Sequence, residues 1–556
     1  MIWIISKHIA AAGLLIACCV PGFGRNAKIA DDAASARGNT VKVIVQFRNT
    51  DATRHQSLIN RHGGTNTRHF GLISAVVAEM PAANLENLAA EPDVAYISPD
   101  RPLMAHLDNA TAATNVPAVW DYGYDGNGIG IAVIDSGITP TPDLSLAGTG
   151  DGEGGIVAGQ SFLYNSAGRL LSAGDKFGHG THVAGIIAGN GHNSTGSLYF
   201  RTFKGVASGA GIVNLRVLDE NGMGYDSGVI AAIEWAIRSR QQYNIRVINL
   251  SLGRPVYESY QLDPLCQAVE QAWKSGIVVV VAAGNHGRDN SSGNQGYGTI
   301  TAPGNDPYAI TVGAMKPMGT PGRDDDLIAS YSSKGPTAIN HLVKPDVVAP
   351  GNRIDSLEGT GTLSLTFPGN SVPDVAYMYH AQPQAISGSY FTLSGTSMAA
   401  AVVSGAAALM LQADPSLTPD LLKARMMKTA YKKFPASSSV TDAGIVYTSY
   451  YDAFTIGAGY LDVQAAILNT DRGFGSAMSP VAFYNSRTKS VSVVFDTTAM
   501  WGSTAMWGST AMWGSTAMWG STAMWGSTAM WGSTAMWGST TNSTSEAMRT
   551  LINGEN

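Results

Sequence analysis

Cysteine is almost missing from this 556-residue chain: Cys18 and Cys19 stand together near the start, and Cys266 is alone. Once an N-terminal leader is removed, no intrachain disulfide can form, so stability outside a cell must come from packing and bound ions. Cys266 itself reads as a small buried apolar residue. Charge is also scarce, at 14% of residues, with a formal net charge of -6 and no Lys/Arg-rich run. This excludes the basic patch that a nucleic-acid partner would require. The apolar run after His8 is too short to span a bilayer comfortably. Residues 1–24 therefore read as a secretory signal rather than an anchor, and the expected location is exported, either secreted or cell-surface.

What is present is glycine, 64 of it, and a hydrophobic fraction of 44%, as in a loop-rich globular protein with a sizeable core. The leader ends in Leu15-Ile16-Ala17-Cys18, which resembles a bacterial lipoprotein cleavage box. A lipid on Cys18 would be the one route to membrane attachment. Residues 41–103 have a compact α+β pattern: VKVIVQF, GLISAVVAEM and VAYISPD read as strands, SLINRHGG and AANLENLAAE as helices. Residues 104–115 are small and polar, and read as a linker or processing zone. From 116 to about 470, short apolar strands (IGIAVID, GIVNLRVL, RVINLSL, IVVVVAA, YAITVGAM) alternate with helical segments. That alternation predicts an α/β domain with a parallel central sheet and helices on both faces. Its sites are expected at the carboxyl ends of the strands.

Beyond this domain come an extension over 471–498, seven copies of AMWGST over 499–540, and a polar tail over 541–556. A six-residue repeat, if extended, puts every Trp on one face and every Met on the other. The tract reads as a disordered, sticky segment, a stacked β array or a surface-binding element, and identifies no ligand.

Four residues within the α/β domain carry chemistry. Asp135 ends the strand IAVID and opens a loop; alone, it is equally a turn or helix cap. His179 lies in FGHGTHVAG, where the glycines allow close approach to the imidazole. Its spacing to His182 lacks the acid of a zinc site. Asn285 follows a buried strand in VVVVAAGNHG, as an amide donor or as a turn residue. Ser397, in FTLSGTSMAA, is either a buried helix serine or a nucleophile at a helix N-terminus.

The order Asp135, His179, Ser397 is that of subtilisin, and differs from the orders of chymotrypsin-like enzymes and α/β-hydrolases. The strings DSG, HGTHVAG, AAGN and GTSMA together make the chain resemble the subtilisin-like serine proteases, from about Val41 to Leu468. The resemblance implies a secreted serine endopeptidase working through an acyl-enzyme, with Asp135, His179 and Ser397 catalytic and Asn285 in the oxyanion hole. It also implies that residues 41–103 are a small ferredoxin-like inhibitory propeptide, so the precursor is autoinhibited and processes itself. By the same resemblance, Ser251-Leu252-Gly253 and Ala282-Ala283-Gly284 line the specificity pocket, and Gly222-Met223-Gly224 pairs with extended substrate. GAGYLDVQAAIL resembles the family's closing helix. The partners are then protein or peptide substrates and the chain's own propeptide, with no organic cofactor.

A structural calcium is expected from the same likeness, at Asp143, Asn190 and Asn193; the string GDGEGG at 150–155 is the runner-up. Three features depart from the family. Ala401 stands where it usually has proline. The stretch 352–392 is longer than usual and carries Tyr377, Tyr379 and Tyr390, which are expected to narrow the cleft. An unusual SLYFRTFKG follows the calcium-like loop. Rival readings are a narrow-specificity processing protease and a non-catalytic binding scaffold displayed through the repeats.

Overall fold

The computed structural model describes residues 40–70, 74–99, 107–145, 155–291, 293–382, 385–442, 444–473, 475–485, 490–494 and 543–555, with Asn26, Lys28, Ile29 and Arg487. The leader, Cys18, the AMWGST repeats and all of GDGEGG but Gly155 lie outside the described residues. The chain divides into two compact units, Met1–Leu103 and Met104–Asn556.

The first unit runs β1 (Thr40–Phe47), α1 (Ala52–Arg61), β2 (Thr65–Phe70), β3 (Ala75–Pro81), α2 (Leu85–Ala89), β4 (Val94–Pro99). Its antiparallel sheet has the order β2-β3-β1-β4. Alternate residues of β1, Val43, Val45 and Phe47, are buried with Leu58 and Ile59 of α1 and Leu85 and Leu88 of α2. Helix α1 begins because the Asp51 carboxylate accepts from the N–H groups of Thr53 and Arg54. The sequence pattern yields three strands here and the structure has four. The extra one, β2 (TNTRHF), lies at the sheet edge and needs no apolar alternation to pair.

The second unit is built on eight strands: β5 (Gly130–Asp135), β6 (Gly155–Ser161), β7 (Gly211–Arg216), β8 (Ile245–Leu250), β9 (Val278–Ala282), β10 (Ile310–Lys316), β11 (Leu327–Ile328) and β12 (Val347–Pro350). Their order is β11-β10-β9-β8-β5-β7-β6, with β12 also beside β10, and β11 is the antiparallel member. Every residue of β5, β9 and β10 is buried, as expected of a sheet covered on both faces. One layer holds α3 (His179–Ala188) and α6 (Thr396–Ala413); the other holds α4 (Asp226–Ser239) and α5 (Pro264–Lys274). Helix α6 is apolar all round and passes through the core, against β8, β9, β10 and β12. Helix α7 (Pro419–Thr429) and the short helix Val463–Leu468 close the domain.

At the domain's ends two stretches take a form that the sequence pattern does not show. The segment 104–115 is helical from Leu107 to Ala113, and Ala110, Ala113 and Thr114 are buried in the second unit. Its alanines favour helix over linker. The tail 541–556 contains α8 (Ser543–Asn553), whose Met548, Leu551 and Ile552 pack against the main core. Between them, the extension over 471–498 includes the hairpin Val481–Asn485/Ser490–Val494.

Candidate active site

Because the strands are parallel, everything just past their carboxyl ends gathers on one edge of the sheet. Asp135 is the last residue of β5, Ser251 follows β8, and Asn285 lies three residues beyond β9. His179 and Ser397 open α3 and α6, and these two helices pack together.

Asp135 and His179 are both buried, and His179 Nδ1 lies 2.8 and 3.0 Å from the two Asp135 carboxylate oxygens. This proximity needs glycine at 180, where a Cβ would fall 2.2 Å from the Gly137 carbonyl. Burial works against a charged His179 ring, but the Asp135 carboxylate outweighs it and leaves the imidazole pKa above its ordinary value. His182 does something else. Its Nε2 lies 3.0 and 2.9 Å from the carbonyls of Ile354 and Phe391, and burial drives its pKa down to about 3.

Sequence reasoning missed the acid that holds this corner together. The buried Asp175 carboxylate accepts from the N–H groups of Phe177, Gly178 and Thr181, and from the hydroxyls of Ser136 and Thr181. The turn that delivers His179 is thereby tied to the end of β5. The signal was an Asp shortly before a glycine-flanked helix start, a residue that readily accepts from N–H groups two and three positions on.

Ser397 is the second residue of α6, behind Gly395 at φ +149, a value that favours glycine. A Cβ there would lie 3.0 Å from Asn285 Nδ2. Asn285 Oδ1 accepts from the N–H and hydroxyl of Thr396, at 2.9 and 3.0 Å. This fixes the amide so that Nδ2 is its donor face, and among the described residues nothing accepts from that nitrogen. The Ser397 N–H also has no acceptor there, as first-turn N–H groups do not. The Ser397 hydroxyl donates to the Ser251 carbonyl at 3.2 Å; among the described residues it makes no hydrogen bond to His179.

The expected substrate-binding stretches border this corner. Ser251 Oγ donates to the Ser397 carbonyl at 2.9 Å, and the Gly284 N–H donates to Thr396 Oγ1 at 3.1 Å. Leu252 and Gly253 follow directly, with Gly253 packed on Thr301, and the buried Ala282 and Ala283 lead into Gly284. Gly222 sits against the Phe177 ring, whose centroid is 6.4 Å from that of His179. Met223 bonds its N–H and carbonyl to Asp219 and leaves its side chain 63% exposed. Cys266 is buried with its thiol on Asn305, and burial raises its pKa, as for an inert core residue.

The calcium expectation meets a different arrangement. Asp143 Oδ1 accepts the Asn193 N–H at 2.7 Å, and Oδ2 accepts the Tyr390 hydroxyl at 2.7 Å. That hydroxyl also lies 2.8 Å from Ser194 Oγ. Asn190 turns its Oδ1 to the His192 N–H and its Nδ2 to Pro142 and Ser145. The three residues do come together, but each Asp143 oxygen already takes a donor, and Asn193 faces it with a main-chain N–H, which cannot ligate a cation. These groups do not fit calcium in this packing. Among the described residues no group of three His, Cys, Asp or Glu side chains is placed to hold a metal. Burial pushes the Asp143 carboxyl pKa up, against the opposing pull of these hydrogen bonds.

Tyr390 comes from the long stretch 352–392, which was expected to narrow the cleft. Tyr377 and Tyr390 instead turn inward onto the unusual SLYFRTFKG segment; Tyr379 is 51% exposed. Tyr199 stacks on Tyr377 at 6.0 Å, and Phe203 meets Tyr390 at 4.5 Å. The Phe200 N–H bonds the Tyr377 carbonyl, and the Tyr379 N–H bonds that of Leu198. Two separate departures in sequence are therefore one aromatic clasp closing over Asp143.

Comparison with known proteins gives the family. The profile of the subtilase family matches residues 126–475. Serine protease AprX of Bacillus subtilis (strain 168) is 36% identical over 390 residues, spanning 68% of this chain and 78% of its own. Subtilisin E of the same organism is 32% identical over 444 residues, 78% of this chain and 92% of its own. Subtilisin of Bacillus pumilus is 34% identical over 351 residues, 63% of this chain and 94% of its own. The chain belongs to the subtilase family and is a subtilisin-like serine endopeptidase acting on polypeptides.

Proposed function

We propose that this subtilase is an exported endopeptidase that cleaves through an acyl-enzyme and is made as a self-processing, autoinhibited precursor. The observation that carries the catalytic assignment is the buried Asp135–His179 pair, at 2.8 Å, on the sheet edge where Ser397 opens α6. In this reading the Ser397 hydroxyl leaves the Ser251 carbonyl, turns toward His179 and attacks the scissile carbonyl as His179 takes its proton. Asp135 holds the ring tautomer and stabilises the imidazolium. Asn285 Nδ2 and the Ser397 N–H, which have no acceptor among the described residues, donate to the oxyanion. His179 then returns the proton to the leaving amine, and water releases the acyl group by the same relay. Ser251-Leu252-Gly253 and Ala282-Ala283-Gly284 form the pocket beside the nucleophile, and Gly222-Met223-Gly224 the edge that substrate backbone lies along.

The first unit is proposed as the propeptide. Its separate core and sheet suit a module that assists the parallel sheet to form and then blocks the cleft. Export rests on the leader. A fluorophosphonate probe tests the assignment directly: it should label Ser397, and the Ser397→Ala protein should resist labelling. Labelling that persists in Ser397→Ala would remove the nucleophile from the scheme.

A further inference from the structure

Residues 543–555 return to the catalytic unit and dock beside the catalytic corner. The Leu551 carbonyl accepts the Ser394 N–H at 2.9 Å, three residues before the nucleophile. Gly554, at φ +60, lies so close to this strand that a Cβ would fall 2.3 Å from Ser394 Oγ. Glu555 and Asn352 exchange two hydrogen bonds of 2.8 Å, through the Glu555 main chain and the Asn352 amide. Asn352 follows Gly351, whose carbonyl accepts the Gly395 N–H at 2.7 Å. On its other side the fully buried Glu555 carboxylate meets Arg288 Nη2 at 2.8 Å and accepts the N–H and hydroxyl of Ser330. Arg288 is three residues beyond Asn285.

One short segment therefore binds both the strand that leads into Ser397 and the loop that presents the Asn285 amide. Those two pieces also meet through the hydrogen bonds of Asn285 and Gly284 to Thr396, and catalysis needs them in register to a fraction of an ångström. We propose that residues 543–555 are an intramolecular strap, with Glu555 and Leu551 as positioning residues that set the oxyanion donor against the nucleophile. This rests on the assignment of Ser397 and Asn285 given above. The docking surface is apolar where Met548, Leu551 and Ile552 meet the main core and polar around Glu555. A cavity of about 500 Å³ opens along it, lined by Arg288, Arg353, Asn370, Asp442, Arg549 and Glu555.

The experiment compares the whole protein with a chain ending at Asn542 and with Glu555→Gln, each standardised by fluorophosphonate titration of Ser397. Truncation should lower kcat per titrated site by on the order of tenfold, with KM little changed, because register is felt in the transition state. A synthetic peptide of residues 543–556 should restore kcat saturably, toward the value of the whole protein. Glu555→Gln, in the intact chain, should lower kcat in the same direction by a smaller factor. Undiminished kcat in both variants overturns the strap. So does a loss of thermal stability whose kcat deficit the peptide does not relieve, which would mark a merely structural segment. A whole protein that the probe fails to label at Ser397 overturns the underlying assignment instead, and this proposal with it.

Discussion

With His179 as the general base proposed above, its protonation sets the expected response of activity to pH. Its ring is buried beside Asp135 and holds its proton above the ordinary 6.5. The base must be neutral to accept the serine proton, so kcat/KM should climb with pH along an acid limb centred above 6.5. Stability runs the other way. A raised folded pKa contributes stability that is full below the unfolded value and is lost as pH rises through the folded one. Asp135→Asn should move the limb down and cut kcat by on the order of 10⁴, a magnitude taken over from another serine protease. A pH-rate profile that does not move would detach Asp135 from His179. Asn285→Ala should lower kcat by on the order of 10²–10³ with KM little changed, a scale known from subtilisin itself. Steady-state kinetics that show the loss in KM instead would remove Asn285 from the oxyanion hole.

At the level of elements, the aromatic clasp stands where a structural cation was expected. Tyr390 satisfies a buried Asp143 oxygen that burial would otherwise leave costly. Tyr390→Phe withdraws that donor and should cost about 1–3 kcal/mol of stability, measured by denaturant unfolding. A chelator should leave the melting temperature of the unaltered protein where it was. A large drop on chelation would restore a structural cation, and a Tyr390→Phe protein as stable as its parent would remove this role from Tyr390. The same scale explains which strands were hidden in the sequence. Both β2 and β6 lie at sheet edges, where one neighbour suffices and a strand can be polar or glycine-rich. Central strands such as β9, VVVVA, must be apolar on both faces and show themselves.

For the whole molecule, the division into two units sets the order of events. A large parallel sheet forms slowly, because its pairings join distant parts of the chain. On the propeptide reading, the small antiparallel module of the first unit is expected to form first. If the catalytic unit then cuts between them, Ser397→Ala should emerge with residues 1–103 still attached apart from the leader. Gel mass of the purified variant, made without other proteases, checks this; a processed Ser397→Ala chain would assign the cut to another enzyme. Because helix begins at Leu107, the N-terminus of the processed protein is expected ahead of it, near 104–106, and Edman or mass analysis will locate it.

The order of residues along the chain determined the α/β class, the strand ends at Asp135 and Asn285, and the helix starts at His179 and Ser397. These are local matters of apolar runs, glycine placement and capping, written over a few neighbouring positions. Tertiary structure alone decided that Asp175 ties the His179 turn to β5, that Tyr390 closes on Asp143, and that residues 543–555 come back to Ser394 and Arg288. Each of those contacts joins polar or aromatic groups across a fold. Such a pairing has no periodicity, because its partners become neighbours only after the sheet and its helix layers have packed.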